Sequence, residues 1–346
     1  MSLTNGSINC SYYYDDDMNH AIVAAIRAAM GIFSGLCCLV VITVIVGFKK
    51  YVFFSQRLIL YLAIAALFHS VSYSFARINY YTPRYLYDNY CYFGGFINLY
   101  SSWVEFMALC CLTFNVFINS VLDRWPSSRL QYIYLFVMYT LPLLWCWLPF
   151  LQHTYATTEG WCDLRVVDEN CKSFPYGYIL RFSVWYIPVY TILFICFIAT
   201  IIAALTIHRR SRMWYGIYNP DQQQSERRLK NEVKPLIWYP IVYLLLTIFS
   251  LANTIDIAIN PEQNNIVLWY LHVFTSPLRG SFIAIVYALD PETRKRISPR
   301  RIYSHCCLCR KEKEVQEYNV FVSSSGDSLR RVSVEENDYG SINHSP

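Results

Sequence analysis

Charged residues are scarce in this sequence: they make up 15% of its 346 positions, against roughly a quarter in an ordinary soluble domain. Hydrophobic residues make up 55%. A hydrocarbon core about 30 Å thick takes roughly 20 apolar residues per helix, so seven spans and their loops use most of a chain of this length. The shortage of charge therefore excludes an ordinary soluble protein and leaves no room for a sizeable second domain.

Other absences narrow the class further. The segment 1–20 has no lysine or arginine and lacks the apolar core of a cleavable signal peptide, so we expect the first span to be an uncleaved signal. No span contains a lysine, which excludes the Schiff base of a retinal protein. The spans offer two histidines and two acids, too scattered for a metallohydrolase, and no interrupted helices in matched halves as in many transporters.

The apolar runs predict an all-α membrane protein, a bundle of seven transmembrane helices, since open strands cannot satisfy their backbone groups in lipid. These runs are numbered span 1 to span 7 and cover 21–48, 58–76, 91–121, 130–151, 177–207, 235–257 and 266–289. Prolines within four of the spans are expected to kink the helices rather than break them. They are Pro142, Pro149, Pro188, Pro240 and Pro277.

Lysine and arginine predict the orientation. They number 3, 2, 7 and 10 in one set of connections, 49–57, 122–129, 208–234 and 290–346. They number 0, 2, 2 and 0 in the other set, 1–20, 77–90, 152–176 and 258–265. The positive-inside rule places the richer set in the cytosol and the N-terminus outside the cell.

The predicted organisation follows from this orientation. It consists of an extracellular tail 1–20, a membrane domain 21–289, a basic amphipathic juxtamembrane segment 290–310 and a disordered cytosolic tail 311–346. The glycosylation sequons at Asn5 and Asn9 fall outside, where they can be used, whereas Asn343 falls inside and should stay bare.

Four of the thirteen cysteines face the oxidising side, and an even number there favours disulfides. Cys91 opens span 3 and Cys162 lies in the loop between spans 4 and 5, so a bond between them would hold that loop over the mouth of the bundle. Cys10 and Cys171 are the remaining pair, with a free Cys10 in a mobile tail as the alternative.

Three further cysteines follow a basic juxtamembrane segment: Cys306, Cys307 and Cys309. Cysteines in this setting are typical sites of reversible palmitoylation, and the basic residues favour anionic lipid. Unmodified thiols and a metal site with His305 are the alternatives, although the spacing lacks the usual pairs of zinc ligands.

Ionisable residues inside a span are costly and mark candidate functional sites. Arg27, Arg181 and Asp256 lie near the outer ends of their spans. The arginines can extend to the lipid headgroups, or these residues can bind a ligand together with His272. His69 and His272 are the histidines of the spans, and packing through a hydrogen bond is the alternative for each.

Glu105 and Arg279 differ because they lie deep. Glu105 is 14 residues beyond the outer start of span 3, and Arg279 is 13 beyond that of span 7. At about 1.5 Å per residue both sit about 20 Å deep. We expect them to face the interior and to pair, directly or through water, either as a static clasp or as a switch between two receptor states.

Rhodopsin-like signatures are missing from spans 6 and 7, and Asp123-Arg124-Trp125 lies too far after Cys91 to be the motif that ends a rhodopsin-like third helix. Five other motifs, in order, resemble the cyclic AMP receptor-like group of G-protein coupled receptors, class E and its animal relatives. They are Phe114-Asn115-Val116-Phe117, Trp145 with Pro149, Gly160-Trp161-Cys162-Asp163-Leu164, Tyr239-Pro240 with Asn253-Thr254-Ile255, and Pro277-Leu278-Arg279-Gly280 with Val286-Tyr287. The chain departs from that group at Asp163, Arg279 and Ala284, where Trp, Gln and Asn are usual.

The resemblance implies a plasma-membrane receptor, not an enzyme, whose span 6 swings outward at its cytosolic end and exposes a groove for a G-protein α-subunit. Pro240 would supply the bend. Cyclic AMP is not carried over as the agonist. Outer arginines can attract an anionic ligand, or can offset nearby acids: Arg27, Arg77, Arg84, Arg165 and Arg181. A transporter, a channel or a receptor signalling without G proteins is the alternative.

The cytosolic side supplies the expected partner surfaces. The connection between spans 5 and 6 is the expected G-protein contact, or serves retention by charge alone, through Arg209, Arg210, Arg212, Arg227, Arg228 and Lys230. Tail serines, among them Ser333, are expected to meet kinases and an arrestin-like partner. No cofactor, metal or nucleic acid is expected.

Overall fold

The computed structural model describes residues 17–74, 84–122, 128–152, 154–158, 161–164, 175–213, 235–259, 265–290 and 293. Several predicted sites lie outside the described residues. They are Asn5, Asn9, Asn343, Cys10, Cys171, Arg77, Arg165, Arg227, Arg228, Lys230, Cys306, Cys307, Cys309 and the tail serines.

The first three spans are long helices. Span 1 is Asp17–Gly47, span 2 is Phe54–Ser74, and span 3 is Arg84–Phe117, which continues into a π-helical turn, Ile118–Leu122. Lys49 separates spans 1 and 2 in the left-handed conformation, at a φ of 52°.

The other four spans are composite. Span 4 runs through Ser128–Thr140, Leu143–Cys146 and a 3-10 helix, Leu148–Gln152. Span 5 joins Pro175–Leu180, a π-helical turn Arg181–Tyr186, and Ile187–Met213. Span 6 is Trp238–Ile259 after a 3-10 turn, Pro235–Ile237. Span 7 is Ile266–Thr275, a 3-10 turn Ser276–Leu278, and Arg279–Leu289.

These elements confirm the predicted fold class. Among the described residues, six helical stretches are each long and apolar enough to cross a bilayer, and they correspond to spans 1 to 6. The seventh is equally apolar but is divided by its 3-10 turn. The protein is a multi-pass membrane protein with a seven-helix fold.

Spans 4 and 7 change their type of helix at their prolines but stay helical, in agreement with the expected kinks. Thr140 ends the first helix of span 4 two residues before Pro142, and Pro277 lies within the 3-10 turn that divides span 7. A proline lacks the N–H of the regular helix and its ring clashes with the preceding turn. Pro240 lies in the first turn of its helix, where the missing N–H has no intrahelical partner to lose.

Span 3 is the central helix of the bundle. About two thirds of its apolar window (67%) is buried, against 22–44% for the other five candidate spans. Trp103 and Glu105 in this span are both 0% exposed. Because span 3 contacts its neighbours on most sides, a polar group near its middle meets protein and not lipid.

Spans 1 and 7 approach closely at Gly280. A methyl group at this position would lie 2.5 Å from both Cys38 Sγ and Ser34 Oγ, closer than real contacts allow. Glycine therefore permits this close packing and seats the neighbouring Arg279 against the rest of the bundle.

A β-hairpin covers one end of the bundle, where the sequence analysis predicts only a loop. Strand β1, Tyr155–Thr158, pairs antiparallel with strand β2, Trp161–Leu164, so that Tyr155 faces Leu164. The hairpin packs against span 3, where Gly95 leaves room for the ring of Tyr155: a Cβ there would lie 2.8 Å from Tyr155 Cδ1.

Candidate functional site

The hairpin is anchored to the bundle at two points. A disulfide joins Cys162 in β2 to Cys91 in span 3. The phenol of Tyr155, which is 0% exposed, donates to the carbonyl of Cys146, 2.7 Å away. Burial raises the pKa of this phenol, so it stays protonated and remains a donor. We call the end of the bundle that carries the Cys91–Cys162 disulfide the disulfide end.

A cavity of about 60 Å³ lies beneath β2 at the disulfide end, lined by residues of spans 1, 2, 3, 5, 6 and 7. This volume is enough for a few water molecules. Asp163 and Leu164 of the hairpin contribute to its wall. The aromatic and hydroxyl groups of Tyr186, Tyr190 and Thr247 contribute another part.

Three arginines line this cavity: Arg27, Arg181 and Arg279. Arg27 and Arg181 are each 3% exposed, so the interpretation that they extend to lipid headgroups is wrong. The guanidinium of Arg27 lies over the ring of Tyr73, 4.6 Å from its centroid. Arg181, in the π-helical turn of span 5, donates from Nη2 to Asp163 Oδ2 at 3.2 Å. Spans 1, 5 and 7 thus bring three positive charges to one small space, and the hairpin adds the carboxylate of Asp163.

Spans 5 and 6 are tied together at this wall. The Tyr190 hydroxyl donates to the carbonyl of Thr247, and the Tyr186 hydroxyl is hydrogen-bonded to the Thr254 hydroxyl. Tyr186 and Tyr190 line the cavity from span 5 and therefore connect this wall to span 6.

Deeper in the bundle, Glu105 accepts hydrogen bonds from two other spans. Its carboxylate is 0% exposed. Tyr243 of span 6 donates to Oε1 at 2.6 Å, and His69 Nδ1 of span 2 lies 2.8 Å from Oε2. Arg279 Nη1 of span 7 lies 3.5 Å from the same Oε2. The carboxylate thus joins spans 2, 3, 6 and 7 at one point.

The hydrogen bonds determine the tautomer of His69. Arg279 Nη2 is always a donor and lies 3.2 Å from His69 Nε2, so Nε2 must accept. The proton is then on Nδ1, which donates to Glu105. The Ser102 hydroxyl, 2.6 Å from Nε2, donates to it and accepts from Arg279 Nη2 at 3.3 Å. Nε2 has one lone pair, so its main bond is the one from Ser102, the nearer donor, and Arg279 Nη2 makes the longer contact.

We call these five residues the hub: His69, Ser102, Glu105, Tyr243 and Arg279. Two of them, Ser102 and Arg279, also line the cavity. Arg279 is oriented by a bond from Nε to the carbonyl of Ser276, at 3.2 Å, within the 3-10 turn of span 7. The 3-10 turn in span 7 therefore positions the arginine that is common to the cavity and the hub.

The other two predicted ligand contacts, His272 and Asp256, have different surroundings. His272 lines the cavity and is 6% exposed. Asn253 Nδ2 lies 3.4 Å from its Nδ1. Asp256 is not among the cavity-lining residues, and its carboxylate accepts from the backbone N–H of Asn265 at 2.9 Å. This hydrogen bond connects span 6 to the start of span 7. A ligand contact at Asp256 stays a prediction.

A second polar network lies at the end opposite the disulfide. Lys50 is 4% exposed and donates to the Thr293 hydroxyl at 2.8 Å. Thr293 in turn donates to Asp290 Oδ2 at 2.7 Å, and the Tyr287 hydroxyl donates to Gln56 at 3.3 Å. These contacts join the end of span 7 to the connection between spans 1 and 2 and to the first turn of span 2.

Sequence reasoning missed Ser102, Tyr73 and Tyr243. A serine or tyrosine in an apolar span carries no distinctive pattern, because most such residues are packing residues with a local bond. Within the described residues, no group of three or more His, Cys, Asp or Glu side chains could hold a metal ion.

Comparison with known proteins gives three findings. A family model described as slime mold cyclic AMP receptor matches residues 16–300. The cyclic AMP receptor-like protein A of Dictyostelium discoideum is 23% identical over 274 residues, which cover 78% of this chain. The matched stretch is 65% of that relative, slightly under two thirds of its length.

The third finding concerns the fold. The crystal structure of squid rhodopsin is similar to this chain with a TM-score of 0.63 and 14% sequence identity, over 84% of this chain and 87% of the other. At this identity the likeness supports the seven-helix fold and carries no information on the ligand.

Proposed function

Because this chain belongs to the slime mold cyclic AMP receptor family, whose model matches 16–300, we propose that it is a ligand-activated, G-protein coupled receptor. The observation that carries the proposal is the arginine-lined cavity beneath the hairpin, joined through Arg279 to a hub that contacts span 6. A receptor needs a ligand site connected to a movable helix, since a ligand acts by favouring one of two arrangements.

We propose that the disulfide end faces the outside of the cell, at the plasma membrane. The Cys91–Cys162 bond supports this orientation because disulfides persist in oxidising compartments. The distribution of basic residues supports it independently, since the arginine-rich connections then lie in the cytosol. In this orientation Asn5 and Asn9 are available for glycosylation, and Cys10 and Cys171 can form a second disulfide.

For the ligand we propose a small anion. The guanidiniums of Arg27, Arg181 and Arg279 line a single cavity, and such a concentration of positive charge stabilises a negative group. The family description and the name of the relative refer to cyclic AMP, which makes it the first compound to test. A cavity of about 60 Å³ is too small for a nucleotide, so binding must be accompanied by movement of the hairpin or of the surrounding spans.

On the cytosolic side we propose that the G protein contacts the basic connection between spans 5 and 6. Arg209 is exposed near the end of span 5, whose helix also carries Arg210 and Arg212, and the connection that follows carries Arg227, Arg228 and Lys230. Tail serines would recruit an arrestin-like partner after phosphorylation, and palmitate on Cys306, Cys307 and Cys309 would hold the juxtamembrane segment to the bilayer.

The test is nucleotide exchange on a reconstituted G protein. The full chain in lipid nanodiscs is mixed with Gαβγ and labelled GTP analogue, and cyclic AMP and other small phosphates and carboxylates are added in turn. We expect at least one anion to stimulate exchange. Arg181→Gln should raise the concentration needed by about tenfold or more, since a charge-assisted contact is lost. Arg129→Gln, at an exposed arginine of span 4, is the matched control.

The proposal fails if exchange is never stimulated while the same protein in liposomes carries an ionic current or a solute flux. A stimulation that Arg181→Gln and Arg129→Gln reduce equally would leave the receptor function standing and remove the cavity as the anion site.

A further inference from the structure

The hub connects the cavity to span 6 through the hydroxyl of Tyr243, the hub residue that lies on that span. Tyr243 OH donates to Glu105 Oε1 at 2.6 Å, and both residues are 0% exposed. A hydrogen bond to a charged acceptor is about twice as strong as a neutral one. Span 6 is therefore held to span 3 by a strong bond at a depth that lipid and water do not reach.

Arg279 connects this bond to the cavity. Its guanidinium lines the cavity and at the same time contacts Glu105, Ser102, His69 and Tyr73. Glu105 is thus an internal anion in contact with the arginine that an anionic ligand would meet at the cavity floor. A ligand anion and Glu105 would share one guanidinium, and two like charges close together in a poorly screened interior repel each other.

We propose that the hub is an autoinhibitory lock: Glu105 occupies Arg279 and holds Tyr243 of span 6 in the resting receptor, and an anionic ligand opens the lock by taking Arg279. This inference rests on the proposed receptor function and describes how the same site is regulated. When Arg279 turns to the ligand, the hydrogen bonds of the Glu105 carboxylate to His69 and Tyr243 rearrange, and span 6 loses its hydrogen bond to span 3.

The lock differs from a static clasp in one measurable respect. A static clasp stabilises the resting and the active arrangement equally, so weakening it lowers stability and leaves the equilibrium between them unchanged. A lock stabilises the resting arrangement alone, so weakening it raises the population of the active one without ligand.

The test uses Tyr243→Phe, which removes the hydroxyl and keeps the ring. Tyr134→Phe is the matched control, because Tyr134 is buried in span 4 and its hydroxyl has no hydrogen-bond partner among the described residues. We expect Tyr243→Phe to raise ligand-independent nucleotide exchange roughly tenfold or more, in line with the loss of one hydrogen bond to a charged group. Tyr134→Phe should leave it unchanged.

A second measurement follows span 6 itself and needs no G protein. Spin labels at Leu122→Cys and Trp238→Cys, both exposed at the end opposite the disulfide, report the distance between spans 3 and 6. The unsubstituted chain treated with the same reagent corrects for native thiols. Tyr243→Phe should enlarge the share of long distances in the full chain in nanodiscs, and Glu105→Gln should act in the same direction.

The outcomes separate the two proposals. Longer distances with Tyr243→Phe, but no exchange on any G protein, would support the lock and overturn the coupling to G proteins. Unchanged distances and unchanged basal exchange in a folded Tyr243→Phe protein that still responds to an anion would overturn the lock and keep the receptor function. Equal effects of Tyr243→Phe and Tyr134→Phe would also overturn the lock.

Discussion

Two arginines of the cavity contact carboxylates in different surroundings. Arg181 contacts Asp163 on the hairpin at 3.2 Å, and the side chain of Asp163 is 20% exposed. Arg279 contacts Glu105 at 3.5 Å, and the side chain of Glu105 is 0% exposed and also accepts from His69 and Tyr243. Both contacts join a cavity arginine to an acid, but water reaches only the first.

The difference in surroundings decides how much each contact stabilises. Water that reaches Asp163 weakens its contact with Arg181, so this pair stabilises the fold less than a pair that is buried on both sides. Nothing replaces Glu105, so the loss of that carboxylate leaves a buried positive charge uncompensated, at a cost of about 3–5 kcal/mol. An arginine–carboxylate pair near the hairpin is therefore suited to ligand exchange, and the similar pair deeper in the bundle is suited to holding spans together. Three sets of substitutions test this difference between the two contacts.

The largest effect is expected from Glu105→Ala. Arg279, His69 and Tyr243 all lose a buried partner, and we expect a loss of about 3–5 kcal/mol in stability. The midpoint of thermal unfolding in a mild detergent, together with the yield of folded protein, measures this loss. Exchanging the two charges, Glu105→Arg with Arg279→Glu, should recover part of it. A Glu105→Ala protein as stable as the wild type would show that the carboxylate is not a stabilising centre.

An intermediate effect is expected from replacing both cysteines of the disulfide, Cys91→Ser with Cys162→Ser. The bond closes a loop of 71 residues, and removing such a bond typically costs about 2–5 kcal/mol. Asp163 follows Cys162 directly, so its contact with Arg181 should loosen, whereas the hub should be unchanged. Spin-label distances between the hairpin and span 5 should broaden, and those between spans 2 and 3 at the depth of the hub should not. Equal broadening at both places would contradict the independence of the two regions.

The smallest effect on stability is expected from Asp163→Asn. We expect a loss of less than about 3 kcal/mol in the free energy of unfolding, below that of a fully buried pair, because Asp163 is partly solvated. The potency of an anionic ligand should rise, since the competing carboxylate is removed while Arg181 is kept. Titration of nucleotide exchange with the active anion measures this. A potency that Asp163→Asn leaves unchanged would remove Asp163 from ligand recognition.

Much of the fold could be predicted from residue order alone. The seven apolar runs correspond to the spans, although the helix of span 3 begins seven residues earlier and that of span 5 ends six residues later than predicted. Hydrocarbon length and backbone satisfaction leave helices as the available structure. Glu105 and Arg279 could be placed at one depth by counting residues at the helical rise, and the structure has them 3.5 Å apart. That count carries no information on which face of each helix looks inward.

Three details could not be predicted, each for its own reason. The change of helix type at Pro142 and Pro277 depends on how the surrounding residues replace the lost backbone bonds, which a single span does not show. The hairpin has strands of four residues each, too short for a periodic pattern. The inward direction of Arg27 and Arg181 depends on the packing of Tyr73 and of Asp163, which lie far away along the chain.

The sequence by itself determined that this protein is a seven-helix membrane bundle, at what depth its charges lie and which family its motifs resemble. These properties depend on composition along one chain, measured against the thickness of a bilayer. Only the tertiary structure decided that His69, Ser102 and Tyr243 join Glu105 and Arg279, and that three arginines share a cavity. Such contacts require residues from several spans to face one point, and the rotation of each helix is set by its packing against the others.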